Sequence, residues 1–312
     1  MTTRRRIVTS LAAALITIGC GVGIPAAAGP AVVLAPQGPA EAPASLPNKS
    51  GSLKFVVLGD FGTGERRQYD LAAELAKFHE GFKFDTVVTV GDNLIWSQQP
   101  ADFKRKFEDP YKPLLDAGVK FHAVLGNHDV REQKNYALFN MGGKLYYSFK
   151  PPSQKVRFFM LDSGYPVPEQ IDWLEKELKG SSDDWKIAAF HHPLYSSGGR
   201  HGSDRPLREV LEPLFVQYDV SVTFAGHDHF YERIKPQKGI VHFIVGSGGR
   251  LAVGDIDKSS PLMAKGFDTG CAFLAVEITG DELYFNAISS TGQVVDSGLI
   301  QHRPGSRSRD AR

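Results

Sequence analysis

Leu53-Lys54-Phe55-Val56-Val57-Leu58-Gly59-Asp60-Phe61-Gly62 opens as an apolar, β-branched run and stops at once on a glycine and an aspartate. The run predicts a buried strand, and the Gly-Asp pair predicts a loop at its C-terminal end. Four later stretches repeat the pattern. Thr86 to Val90 ends on Gly91-Asp92-Asn93, and Val119 to Leu125 ends on Gly126-Asn127-His128-Asp129. Trp185 to Phe190 ends on His191-His192-Pro193, and Val220 to Phe224 leads into Gly226-His227-Asp228-His229. Helical patterns lie between them, over Arg67 to His79, Ala101 to Ala117, Glu169 to Leu178 and Pro206 to Tyr218, and Leu145 to Phe149 with Val156 to Leu161 reads as a hairpin. Strands alternating with helices predict an α/β fold whose ligands bind where the strands end. From Ile240 onward there are strands without helices: Ile240 to Val245, Ala272 to Ile278, Glu282 to Ile288 and Val294 to Leu299. These predict a second, largely antiparallel sheet covered by the first.

Each loop taken singly is ordinary turn chemistry. Taken together, Asp60, Asp92, Asn127, His191, His227 and His229 bring two carboxylates, one amide and three imidazoles to one edge. Imidazole with carboxylate is the donor set for zinc, iron or manganese. His227 and His229 are expected to reach two neighbouring metals rather than chelate one. Two like-charged ions need a carboxylate between them, and Asp92 is the natural bridge.

These clusters, in this order, resemble the calcineurin-like metallophosphoesterases, and in detail the purple acid phosphatase (tartrate-resistant acid phosphatase-like) branch, over residues 53 to 290. Asp60-Phe61-Gly62 and Phe230-Tyr231-Glu232-Arg233 carry the closer likeness. The resemblance implies a four-layer α/β/β/α sandwich of two mixed sheets, with a dinuclear metal site at the strand C-terminal ends. It implies Asp60, Asp92 and His229 around the first metal, and Asp92, Asn127, His191 and His227 around the second. His191 is preferred to His192 because the family's ligand stands two residues before the proline. His128, next to Asn127, resembles the superfamily's acid just outside the metal ligands, with Asp129 as the group to orient its ring, and His201, in the polar loop Ser196 to Gly202, matches the place of a substrate-facing histidine. The implied reaction is hydrolysis of phosphate monoesters by direct attack of a metal-activated hydroxide on a small phosphorylated substrate. A phosphodiesterase with the same site is the alternative, and a non-catalytic phospho-ligand binding protein is the rival from another class. One position departs from the branch: Ile95 stands where its iron-binding tyrosine would be. An aliphatic side chain cannot ligate, which argues for two divalent ions (Fe, Zn or Mn) and against an iron(III)-tyrosinate.

The chain has 312 residues and a formal charge of +1, so no bulk field favours a nucleic acid, and none is expected as partner. Residues 1–28 read as an export signal, with Arg4-Arg5-Arg6 ahead of an uncharged run from Ile7 to Gly23. That run falls short of the roughly 20 residues of a spanning helix, so no transmembrane span is expected. The n-region also suits twin-arginine export. Cys20 reads either as a lipid-anchor cysteine or as a small apolar residue of a discarded peptide. Residues 29–52, rich in Pro, Ala and Gly, read as a flexible linker, residues 53–302 as the metallophosphoesterase domain, and residues 303–312 as a disordered basic tail. The product is expected to be secreted, periplasmic or attached to the envelope. Cys271, in an apolar run, reads as a small buried hydrophobe.

Overall fold

A computed structural model describes residues 33–34 and 45–302. The predicted export signal with Cys20, and the predicted tail, lie outside the described residues. In chain order the first half comprises β1 (Val33–Leu34), β2 (Leu53–Leu58), α1 (Arg66–Gly81), β3 (Thr86–Val90), α2 (Pro100–Phe103), α3 (Asp109–Asp116), β4 (Lys120–Val124), β5 (Tyr147–Phe149) and β6 (Val156–Met160). The second half comprises α4 (Pro168–Gly180), β7 (Trp185–Ala189), α5 (Arg205–Gln217), β8 (Val222–Ala225), β9 (Tyr231–Ile234), β10 (Val241–Val245), β11 (Met263–Phe267), β12 (Ala272–Thr279), β13 (Glu282–Ser289) and β14 (Val294–Gln301). The helix predicted over Ala101 to Ala117 is not one α-helix. Lys104–Glu108 winds as a π turn between α2 and α3, next to Pro110 and Pro113, which have no N–H to give an α ladder.

The strands form two mixed sheets of seven, ordered β1-β14-β13-β12-β2-β3-β4 and β11-β9-β10-β8-β7-β6-β5. Strand alternation explains how they stack. In β6, Phe158 points between the sheets and meets Phe55 of β2 edge-on at 5.1 Å, while its neighbour Phe159 packs in a separate core with Leu174 and Leu178 of α4 and Phe215 of α5. Phe243 of β10 meets Phe285 of β13 across the same inter-sheet space. On the far side of the first sheet, Phe78 of α1 packs on Phe273 of β12 with ring centroids 5.5 Å apart. The layers are thus helix, sheet, sheet, helix, as expected.

The C-terminal strands do not make a sheet of their own, contrary to the sequence reading. β12, β13 and β14 extend the first sheet by antiparallel pairing of β12 with β2. The parallel strands β6, β7, β8 and β10 form the heart of the second. The edge of β2 left free by β3 would be an unpaired ladder on a mostly buried strand, and β12 covers it. Nor does the folded body begin at Leu53. Val33–Leu34 pairs with β14, and the backbone N–H groups of Asn48 and Lys49 each donate 2.6 Å bonds to the carboxylate of Glu277, which the Ser52 hydroxyl also reaches at 2.7 Å. Among the described residues no helix is long and apolar enough to cross a membrane.

Glu277 is fully buried and takes all three of these bonds. Glu277→Ala therefore leaves two backbone donors and a hydroxyl of that segment without their acceptor. It should lower the unfolding free energy in urea by about 2–4 kcal/mol with turnover unchanged.

Candidate metal centre

Five parallel strands of the two sheets end at one place. The loop after β2 carries Asp60, that after β3 Asp92, that after β4 Asn127, that after β7 His191, and that after β8 His227 and His229. All six sequence-predicted ligand positions are therefore brought to one edge. Asp60, Asp92 and His227 sit at φ of 54°, 52° and 71°, a left-handed backbone that non-glycine residues adopt only when their surroundings impose it. On an unbroken strand His227 and His229, two apart, would share a face. The left-handed turn at His227 instead sends its ring toward Asn127 and His191, while His229 turns toward Asp60. Gly226 and Gly126 permit the crowding: a Cβ on the first would lie 2.4 Å from Asp60 Oδ2, and one on the second 2.2 Å from Asp92 Oδ1.

Two clusters result. The donor atoms of Asp60, Asp92 and His229 all lie within 4.8 Å of one another. Asp60 Oδ2 accepts from the His227 amide at 3.0 Å, but Oδ1 is buried, has no hydrogen-bond partner, and stands 3.5 Å from His229 Nε2. In the second cluster His191 Nδ1 lies 2.8 Å from the carbonyl of Val90, which can only accept, so Nδ1 carries the proton. His191 Nε2 is then a bare lone pair, and it faces Asn127 Oδ1 at 3.0 Å, His227 Nδ1 at 3.3 Å and Asp92 Oδ1 at 3.5 Å. His227 Nδ1 is 2.9 Å from the same Asn127 oxygen.

The electrostatics agree. Burial, then the charge of Asp92, holds Asp60 well above the usual carboxylate range. Burial, then His192, depresses His191 well below the imidazole range; burial, then His191, takes His227 down to about 2; burial, then Arg250, takes His229 to about 4. Neutral imidazoles and crowded carboxylates with an orphaned oxygen are what a cation needs and what a chain without one pays for. The residues present fit a pair of metal ions.

His192 also approaches the second cluster, with its ring 4.5 Å from that of His227, but its Nδ1 is engaged by the Ser163 hydroxyl at 2.9 Å and it is only half-buried. His191, fully buried and oriented by Val90, has the better-fixed lone pair. His128 is exposed, and its amide donates to Asp92 Oδ1 at 3.0 Å. Asp129 does not orient the His128 ring, contrary to the sequence reading. Its carboxylate accepts from the amides of Asn93, Leu94 and Gly126 and from the side chains of Asn93 and Gln133, so it ties the loops after β3 and β4 together. His201 hangs over the centre, with ring centroids 4.2 Å from His227 and 6.3 Å from His229. Ile95 is fully buried, bonded through its backbone to Gly62 and to the Lys106 ammonium.

Residues 53–231 match the sequence model of the Calcineurin-like phosphoesterase family. The chain belongs to that family. Its chemistry is metal-dependent hydrolysis of phosphoesters, and the chain is a hydrolase of that class. It is 29% identical to purple acid phosphatase 17 of Arabidopsis thaliana over 273 residues, 75% of this chain and 80% of that one. Among solved structures, a purple acid phosphatase from yellow lupin seeds superposes with a TM-score of 0.68 at 21% identity over 82% of this chain and 55% of its own. GAP50, the anchor in the inner membrane complex of Plasmodium, superposes with a TM-score of 0.70 at 21% identity over 82% of this chain and 90% of its own. One fold thus serves a phosphatase and an anchor, so function must be argued from the site.

Sequence reasoning missed two features of the site. Arg250 stacks its guanidinium 5.3 Å from the ring centre of Trp96, which is 56% exposed, while its backbone N–H donates to Asp60 O at 3.0 Å. Asp228, between the two histidines, is fully buried. Neither had a visible partner in the sequence, because the loops they contact come from remote positions. If Gly226 is the space in which Asp60 and His191 meet, Gly226→Ala should purify folded yet with well under half the metal of the wild type, as measured by elemental analysis.

Proposed function

We propose that the chain hydrolyses phosphate monoesters at a centre in which Asp60, Asp92 and His229 hold one divalent ion and Asp92, Asn127, His191 and His227 hold a second. The observation that carries this reading is the bare His191 Nε2 among three further donor atoms, beside the orphaned Asp60 Oδ1. Bound there, two cations would neutralise phosphate oxygens and lower the pKa of a water. The chain's own groups supply the rest. Arg250 and Arg200 stand close enough to His229 for their charges to depress it. A positive mouth of this kind favours the dianion of a monoester over the single charge of a diester. His201 and His128 are disposed to bond the phosphoryl oxygens and to hold the proton that the leaving alkoxide needs.

A cleft of about 470 Å³ opens beside Asn127 and His192, between the loop bearing Val130, Arg131 and Glu132 and the loop bearing Asp162 and Tyr165. It is of a size for the organic part of one small substrate. Arg131 is aligned in it by a 3.2 Å pair with Asp162. We also place the mature protein outside the cytoplasm, on the strength of Arg4-Arg5-Arg6 and the uncharged run that follows.

Two measurements test this reading. An aryl phosphate should be turned over at least about tenfold faster in kcat/KM than its bis-aryl diester, since one methylene-scale mismatch already costs that much. Equal or reversed rates would favour the diesterase. With Ile95 in place of a phenolate donor, the metal-replete enzyme should show no intense visible charge-transfer band, and a purple protein would refute the divalent assignment.

A further inference from the structure

Asp228 and Glu232 are both fully buried, and neither has a Lys or Arg partner among the described residues. Burying a carboxylate without a cation is costly, so their partners are informative. Both face one segment, the loop from Ser196 to Ser203 that carries His201. Asp228 Oδ2 accepts from the Ser196 hydroxyl at 2.5 Å, and that hydroxyl accepts from the Gly198 amide at 3.0 Å. The carboxylate packs so closely on the loop that a Cβ at Gly198 would lie 2.8 Å from it. Glu232 Oε2 accepts from the Ser197 amide at 2.9 Å.

The loop is clipped at its base and held from its other side. The Ser203 hydroxyl accepts from the Ser196 amide at 3.0 Å and donates to its carbonyl at 3.2 Å. Gly199 N–H donates to Asp255 O at 2.8 Å, and Asp257 N–H to Ser197 O at 2.9 Å. Asp228 comes from the very turn whose neighbouring residues, His227 and His229, face the metal centre, and Glu232 from β9, which follows it. His201 is therefore referenced to that turn rather than to solvent.

We propose that Asp228, backed by Glu232, is a positioning residue that sets the His201 imidazole over His227. The proposal rests on the reading of His201 as a group that acts on the phosphoryl oxygens. The test is a double-mutant cycle, read on kcat and KM for an aryl phosphate and on metal content. His201→Ala should lower kcat roughly 10²-fold. Asp228→Ala should lower it about tenfold or more with both metals retained, since displacement of a catalytic group by about 1 Å costs on that scale. In the His201→Ala background the same Asp228→Ala change should alter kcat by less than about twofold, because two changes acting through one group do not add. An equal factor in both backgrounds, or metal loss in step with activity, overturns the proposal. Ser196→Ala, which removes only the hydroxyl linking Asp228 to the loop, repeats the cycle if Asp228→Ala fails to fold, with the same pattern expected.

The cycle is run in parallel on the affinity of the metal-loaded protein for inorganic phosphate, measured by calorimetry. A wild type without turnover would sink the hydrolase reading, while the phosphate cycle would still decide the role of Asp228. His201→Ala with full turnover and full phosphate affinity would sink the positioning role and leave hydrolysis standing.

Discussion

Buried negative charge and lone pairs with no cation of the chain's own are the constraint on which the rest of this structure depends. Among the described residues no Lys or Arg pairs with Asp60 or Asp92, though both are buried. Two such carboxylates side by side, with an amide oxygen and neutral imidazoles aimed at them, would normally be selected against or neutralised by protonation. The elevation of Asp60 and the depression of the three imidazoles are two faces of one arrangement. A pair of metal ions bound there would reverse both, because it would stabilise the ionised carboxylate and use the lone pairs that burial keeps unprotonated.

The scaffold holds that arrangement by means that are costly locally. Three donor residues occupy left-handed backbone, and glycines stand wherever a side chain would collide with a donor. The strain is tolerable because the strands behind it are buried along their whole length, as in β3, β7 and β8. Outside the donors, a ring of buried groups fixes the loops. Asp129 ties the loops after β3 and β4, Lys106 bonds the carbonyls of Ile95 and Ser97, and Asp228 with Glu232 reaches the loop that bears His201. The donor atoms are thereby placed by rigid elements even though the residues themselves lie in loops.

Much of this could be read in the sequence, for a definite reason. A fully buried parallel strand is a short apolar run, and its end is marked by Gly with Asp, Asn or His, so Leu53 to Leu58 and Thr86 to Val90 declare both the strand and the site. The gathering of Asp60, Asp92, Asn127, His191, His227 and His229 at one edge follows from the same punctuation. Strand partnership is different. Nothing local in Ala272 to Thr279 says that it will pair with β2, because an apolar strand satisfies its ladder equally well in either sheet. Long-range side-chain contacts were equally silent. Adjacency in sequence points Asp129 to the ring of His128, whereas its bonds run to Asn93 and Leu94, which are remote in sequence. The docked segment around Asn48 and Lys49 was hidden by a Pro- and Ala-rich composition, and what fixes it is Glu277, far along the chain.

The dinuclear centre can be tested most directly by anomalous diffraction from crystals of the metal-loaded wild-type protein. The account predicts two peaks, one bounded by Asp60, Asp92 and His229 and the other by Asp92, Asn127, His191 and His227. No peak, a single peak, or a second peak ligated by His192 in place of His191 would contradict it.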